Sequence, residues 1–367
     1  MSDAPAGAPA LKEIFNRARL EHFAAETQAI TRGFDAGRFL ALACDGLDDL
    51  SIMQRLRRVA ETFHATLPGP FEANLDTLRA LAPRIEHGFA AIALAEYVAL
   101  YGQDRFDASM AALAFFTRFG SAEFAIRHFL IRDLDRTLAV MTAWAEDDNE
   151  HVRRLASEGA RPRLPWSFQL RPLIEDPNRA WPILDALRAD PSLYVRKSVA
   201  NHLNDVTKDH PAWVLARLAG WPRAQPHTAW IVRQALRTLV KRGDAGALEL
   251  MGAGSAAQVR VADFAVAPAR LVLGERMSLS ARLVSTAATP QKLIVDYAVH
   301  YVKKNGRAAP KVFKLKEIVL APGREETVAI SQVIRDFTTR KHHAGHHRVE
   351  LLVNGRSLAD GGFLLEA

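Results

Sequence analysis

From Leu11 to about Met251 apolar residues recur every three or four positions, as in Ile126, Phe129, Leu130 and Leu134 and again in Val199, Leu203 and Val206. That spacing puts them on one face of a helix, so the segment is predicted to be helical. After Gly252 the period changes to two, in Val259 and Val261 and in Leu293, Val295, Tyr297, Val299 and Tyr301. These runs predict strands. The turn dipeptides Asn305-Gly306, Pro322-Gly323 and Asn354-Gly355 separate short β-branched runs, as in an antiparallel sandwich. Residues 258–367, with some seven short strands, fit an immunoglobulin-like sandwich in size, although no Cys-Trp-Cys core marks an antibody-type domain. The predicted organisation is a disordered tip over 1–10, a helical domain over 11–252 and a β-sandwich over 258–367.

The helical part repeats itself. Asn149-Glu-His-Val-Arg153, Ser192-Leu-Tyr-Val-Arg196 and Ala229-Trp-Ile-Val-Arg233 each open an amphipathic run, and their Val-Arg pairs lie 43 and then 37 residues apart. That is the period of HEAT-like helical pairs, which stack side by side. The fold class predicted is therefore mainly α: a HEAT-like α-α solenoid followed by a small all-β immunoglobulin-like sandwich. An Arg recurring at one register would project repeatedly towards one surface and make a basic groove; it can equally bridge to an acid of the neighbouring repeat.

Composition narrows the picture. Of 367 residues 49% are hydrophobic and 24% charged, and no uninterrupted apolar run is long enough to span a bilayer. The small-residue start with Asp3 does not read as a secretory signal, so a cytoplasmic protein with no membrane partner is expected. The single cysteine, Cys44, excludes an internal disulfide and a thiolate zinc cage and reads as a buried structural thiol. Residues 1–150 hold 15 bases and 22 acids, residues 151–242 hold 16 and 7, and residues 256–367 hold 17 and 10. A basic middle and end beside an acidic first part is the footprint of a surface for a polyanion, although Lys and Arg also serve plain solubility.

Motifs for nucleotide chemistry are missing: there is no Gly-rich phosphate loop, no nucleophile elbow and no dinucleotide fingerprint. His342, His343, His346 and His347 are dense enough to catch a transition metal in vitro. A Gly divides them and no carboxylate or thiolate joins them, so a polar loop is expected there and neither metal nor cofactor. Two other stretches carry candidate chemistry, Ser121-Ala-Glu-Phe-Ala-Ile-Arg127 and the run from Val152 to Trp166. In the second, Glu158 ends a helix at Gly159, and Arg161, Arg163 and Trp166 follow on a Pro-stiffened connection. A carboxylate among guanidinium groups keeps its charge, and with an indole it suits a cationic, electron-poor group. The same residues also fit plain packing, with Trp166 under the next repeat, Glu123 paired with Arg127, and Glu158 with Arg154 or Arg161.

The run SAEFAIRHFL, the segment WAEDDNEHVRRLASEGARPRLPW, the repeat DPSLYVRKSVANHLNDVTKDHP and the earlier MQRLRRVAETFHATLPGPF resemble the AlkC branch of the DNA alkylation-repair glycosylases, relatives of the AlkD enzymes. The resemblance spans most of residues 11–250. It implies a monofunctional glycosylase that removes cationic alkylated bases, chiefly 3-methyladenine and 3-methylcytosine, from double-stranded DNA in base excision repair, without a cofactor and without flipping the base. It also implies that a carboxy-terminal immunoglobulin-like domain can follow. By the same resemblance Glu123 matches the catalytic carboxylate, Glu158 supports it, Trp166 faces the lesion, and Arg154 and Arg161 hold backbone phosphates. Register and charge add Arg163, Arg196, Lys197, Arg237 and Lys241 as phosphate contacts. Lys303 and Lys304, beside the Asn305-Gly306 turn, are expected to touch the same DNA. A monomer is expected. Two other classes remain open on the residues alone: a non-catalytic HEAT scaffold binding DNA or an acidic protein, and a carbohydrate hydrolase using paired carboxylates beside a Trp.

Overall fold

The computed structural model describes residues 10–254, 256–337 and 341–366, so the expected disordered tip lies outside them apart from Ala10. Among the described residues the helices are α1 (Arg17–Ile30), α2 (Ala36–Cys44), α3 (Ile52–Thr66), α4 (Phe71–Leu81), α5 (Gly88–Tyr101), α6 (Phe106–Phe116), α7 (Glu123–Arg132), α8 (Leu134–Trp144), α9 (Glu150–Gly159), α10 (Arg171–Glu175), α11 (Trp181–Ala186), α12 (Leu193–Val206), α13 (Pro211–Ala219), α14 (Pro226–Ala235), α15 (Arg237–Lys241) and α16 (Ala245–Leu250). The strands are β1 (Val259–Ala267), β2 (Arg270–Leu271), β3 (Arg276–Ser285), β4 (Gln291–Val302), β5 (Ala308–Leu320), β6 (Glu325–Val333), β7 (Gly345–Val353) and β8 (Arg356–Leu365). None of the helices is long and apolar enough to cross a membrane.

The chain divides into two compact units. The first runs to His210 and adds Pro222–Ala235. In it α3 packs on α5, α5 on α7, α7 on α9, α9 on α12 and α12 on α14, which is the side-by-side stacking of HEAT-like pairs. α5 (GFAAIALAEYVALY) is apolar nearly all round because it is covered by α3, α6 and α7 together.

Two of the three Val-Arg motifs turn out to be a helix-start clasp, whereas Arg233 of the third lies in the last turn of α14, so that copy does not open its helix as expected. Asn149 caps α9 by accepting from the backbone N–H of His151 at 2.9 Å, and Ser192 caps α12 by accepting from that of Tyr194 at 3.2 Å. One Arg153 nitrogen then donates to the carbonyls of Asp147 and Asp148, each at 2.9 Å, and one Arg196 nitrogen to those of Asp190 and Pro191 at 2.8 and 2.7 Å. In both repeats the arginine reaches back six and five residues to the loop before its own helix. Arg153 also forms a two-pronged ion pair with Asp190 of the next repeat, at 2.7 and 3.2 Å. The inter-repeat bridge, not a basic groove, therefore accounts for Arg153.

The second unit comprises Pro211–Trp221 and the chain from Leu236. Its strands form a sheet in the order β1-β3-β6 and another in the order β2-β8-β7-β4-β5. Leu279 and Leu283 from the first and Val295, Val299, Leu351 and Phe363 from the second meet in a core from which solvent is excluded. The turn between β7 and β8 is built on Asn354 (φ 47°) and Gly355 (φ 74°), the pair a two-residue hairpin favours. Asn354 accepts from the backbone N–H of Ile294 at 2.9 Å and donates to the carbonyl of Ala253 at 2.6 Å. Gly355 lies so close to Gly243 that an added Cβ would come within 2.1 Å of its Cα.

Those contacts tie the last helical residues to the sheet, and α16 packs on α13 within the same unit. Secondary structure changes from helix to strand between Leu250 and Val259, yet the compact units divide upstream of the expected 252–258 boundary. The histidine segment also departs from a plain loop. β7 begins at Gly345, His347 is buried and stacked on Phe363 at 5.1 Å, and His342 lies edge-on to Tyr301 at 4.9 Å. Cys44 is half-buried rather than fully enclosed.

Candidate active site

The site lies within the first unit, where the start of α7, the last turns of α9 and the loop after α9 come together. Glu123 is the first residue of α7, a position where the helix dipole favours an acid. Its carboxylate accepts hydrogen bonds from the Ser121 hydroxyl and from Arg154 of α9. The same Arg154 nitrogen donates to Ser121 Oγ at 2.7 Å, and its other terminal nitrogen lies 3.5 Å from Glu158 Oε1. Glu158, one turn further along α9, accepts from Arg161 at 2.7 Å, and Arg161 Nε donates to Asp205 Oδ2 of α12 at 2.9 Å. Lys208 closes the series on Asp205 at 3.0 Å.

The result is a chain of alternating charges crossing three helices. Burial by itself would lower the pKa of Arg154, but the charges of Glu123 and Glu158 outweigh it and raise the value. Arg161 is raised in the same way by Glu158 and Asp205 against its own burial. Close approach of α9 to α7 requires a residue without a side chain. An added Cβ at Gly159 would meet Ile126 Cγ2 at 2.4 Å.

Glu123, Arg154, Glu158, Phe89, Trp166 and Tyr194 line an open cavity of about 490 Å³. Trp166 stands at its edge, 62% exposed, with its ring edge-on to Phe89 at 6.2 Å. The Arg154 guanidinium lies 4.9 Å from the Tyr194 ring centre, a cation–π contact, and His151 meets Tyr194 edge-on at 5.5 Å. Burial raises the Tyr194 hydroxyl pKa, with Arg154 acting in the opposite direction. Two carboxylates held in place by arginines, beneath exposed aromatic rings, suit a planar cation and positive charge developing next to it.

The structure brings Glu123, Glu158, Trp166, Arg154 and Arg161 together as expected, and Glu158 pairs with both Arg154 and Arg161 as the packing reading allowed, but the other expected contacts differ. Trp166 does not pack under the next repeat. Arg127 does not pair with Glu123; it is fully buried and donates to loop carbonyls. Arg161, expected on a phosphate, is 8% exposed and held at both ends by carboxylates, and Arg154 is likewise engaged. Both brace the carboxylates instead. Arg163 forms a two-pronged pair with Asp209 at 3.1 and 2.9 Å, and Arg196 is the clasp described above, so both guanidinium groups are engaged within the fold.

Lys197 is exposed on α12. Arg237, half-buried, and Lys241, exposed, belong to α15 of the second unit. There Lys303 and Lys304 flank the β4–β5 turn and line a recess of about 340 Å³ with Lys311, Lys341 and His343. Sequence reasoning missed Tyr194 and His151. Their signal was register, since each immediately precedes the Val-Arg pair of its repeat.

Fold and site together define a helical-repeat protein with an arginine-braced carboxylate pair, followed by an immunoglobulin-like sandwich. The sequence matches the family described as DNA alkylation repair enzyme over residues 52–239, and the C-terminal Ig-like domain of the uncharacterised protein YhaZ over residues 260–367. The chain belongs to the DNA alkylation repair enzyme family. It is 39% identical over 346 residues to the uncharacterized protein YhaZ of Bacillus subtilis, covering 94% of this chain and 96% of that one. It is 58% identical to the alkylpurine DNA glycosylase AlkC of Pseudomonas fluorescens, solved bound to DNA containing an abasic site analog. That structure superposes with a TM-score of 0.95 over 98% of this chain and 100% of its own.

Proposed function

We propose that the chain is a monofunctional DNA glycosylase that hydrolyses the N-glycosidic bond of cationic alkylated bases, 3-methyladenine and 3-methylcytosine, in double-stranded DNA. The observation that carries the reading is the Glu123 carboxylate, fixed by Ser121 and Arg154 in a shallow cavity rimmed by Trp166. Likeness over nearly the whole chain to a glycosylase that binds abasic DNA supports it. A base methylated at a ring nitrogen carries positive charge, and the pair of electrons of the breaking C1′–N bond neutralises it. The base thus leaves without needing a strong general acid.

The remaining cost is the positive sugar. A fixed carboxylate stabilises that charge by electrostatics and accepts the proton of the water whose oxygen bonds to C1′. Glu123 takes that role. Glu158, one step deeper in the charge chain, holds Arg154 and Arg161 in place, and Trp166 faces the lesion. Exposed Lys197, Lys241, Lys303 and Lys304 are assigned to phosphates. A non-catalytic scaffold has no use for a buried carboxylate chain opening into a cavity. Chromatography of the bases released from methylated duplex DNA tests the reading: free 3-methyladenine and 3-methylcytosine are expected, and their absence overturns it.

A further inference from the structure

We propose that Arg127 is a positioning residue for Trp166, fixing from behind the loop that presents the indole to the cavity. The inference rests on the reading of that cavity as the lesion site. Arg127 lies on α7 with no exposed surface and does not line the cavity. One terminal nitrogen donates to the carbonyls of Gly159 and Arg161 at 3.0 and 2.6 Å, and the other donates to the carbonyl of Phe168. Its guanidinium also lies 5.3 Å from the Phe168 ring centre. A single side chain thereby joins the two ends of the loop between α9 and α10.

Inside that span the backbone of Trp166 is left-handed, with φ at 65°. For a bulky residue this conformation is disfavoured and persists only where its surroundings impose it. The indole itself supplies little of that constraint, being largely exposed and touching Phe89 edge-on. The bonds internal to the loop, Ser167 N–H to the Leu164 carbonyl at 3.3 Å and Leu170 N–H to the Pro162 carbonyl at 3.1 Å, close it on itself without attaching it to α7. Arg127 makes the hydrogen-bonded attachment, beside a single edge-on ring contact at 5.4 Å between His128 of α7 and Phe168. Burial, helped by repulsion from Arg161, pulls its pKa down to about 10, which leaves it protonated at neutral pH. Only the planar fork of an arginine reaches carbonyls in these directions at once; a lysine ammonium does not.

The test uses the full chain with fluorotryptophan at its six indole positions. Fluorine NMR reports each ring, with Trp166 assigned by W166F. R127K keeps the charge, and R127Q serves if the first variant folds poorly. The Trp166 line is expected to shift and broaden while the other five stay in place. Release of 3-methyladenine at subsaturating duplex is expected to fall by no more than the roughly 2- to 30-fold that loss of the indole itself costs, with affinity for undamaged duplex unchanged. R127K/W166A is expected to be no slower than W166A alone. An unmoved Trp166 line, displacement of all six lines together, or a double variant that loses the product of the two single effects would overturn the proposal. If the unmodified chain releases no base, it is the reading of the cavity that fails, and the fluorine lines alone decide whether Arg127 positions the indole.

Discussion

The two units bury charge on opposite terms. In the helical unit the carboxylates of the site are matched by arginines, from Glu123 through Arg154, Glu158 and Arg161 to Asp205, while the fully buried Arg127 is met by backbone carbonyls. In the β-rich unit Asp296 is buried on β4 and burial lifts its pKa to about 6, with Lys241 and Lys314 only partly offsetting this. That unit instead sets its cations outside, around the turn at Lys303 and Lys304. Matched interior charge is expensive to build and holds its geometry, which is what chemistry at a fixed point requires. Exposed charge is adaptable, which suits a surface for phosphates.

The comparison breaks first at Glu123. Glu123→Gln is expected to slow base release about a hundredfold or more while leaving DNA affinity nearly intact, because the role proposed for the carboxylate lies in the transition state. Single-turnover rates beside binding isotherms check this, and full activity would remove the residue from the reaction.

Next comes the pH dependence of stability, where the units should respond in opposite directions. His202 is enclosed and hydrogen-bonded to the Ser157 carbonyl at 3.0 Å, and burial lowers its pKa to about 4, against the pull of Asp205 and Glu158. The unfolded chain takes up that proton near pH 6.5, so stability from this group falls as pH drops from there to about 4. Asp296 works the other way. Unfolded it ionises near 3.8, folded only near 6, so stability from it falls as pH rises between those values. Each effect amounts to at most about 3 kcal/mol. Denaturant titrations should show His202→Asn protecting the chain below pH 6 and Asp296→Asn stabilising it above. Differences that do not vary with pH would refute both assignments.

Smaller still, Trp166→Ala should weaken lesion recognition by roughly 0.5 to 2 kcal/mol, read as the ratio of affinities for damaged and undamaged duplex. Equal loss on both would mean the indole does not read the lesion. The smallest effect belongs to the other unit. Lys303→Ala with Lys304→Ala should flatten the salt dependence of DNA binding by roughly 0.9 log units of slope per lost phosphate contact and leave the chemical step alone. An unchanged slope takes these lysines off the DNA. Cutting the chain near residue 255 is a poorer test, since Asn354 and Lys292 hydrogen-bond the carbonyls of Ala253 and Met251 across the cut.

Much of this is legible in the sequence because it is periodic or local. The change of period near Gly252, the repeated Val-Arg motif and the Glu158-to-Trp166 run are all visible over short windows. What is not legible depends on partners far apart in the chain. Nothing near Arg163 announces Asp209, and nothing near Arg161 announces Asp205. The basic count of residues 151–242 reads as a surface, whereas Arg153, Arg161, Arg163 and Arg196 turn to carboxylates and carbonyls of the fold. Arg127 misleads because the acid one turn before it offers an obvious partner, while its actual partners are backbone carbonyls more than thirty residues away.

The left-handed backbone under an exposed indole sets selection for durability against selection for repair. Trp166→Gly would relieve a conformational cost on the order of 1 to 3 kcal/mol and remove an apolar ring from water. A screen for heat resistance alone would therefore favour losing this tryptophan, and a screen for survival of alkylation damage would restore it. Opposite outcomes of two such screens at one codon mark a residue kept for its work rather than for the fold.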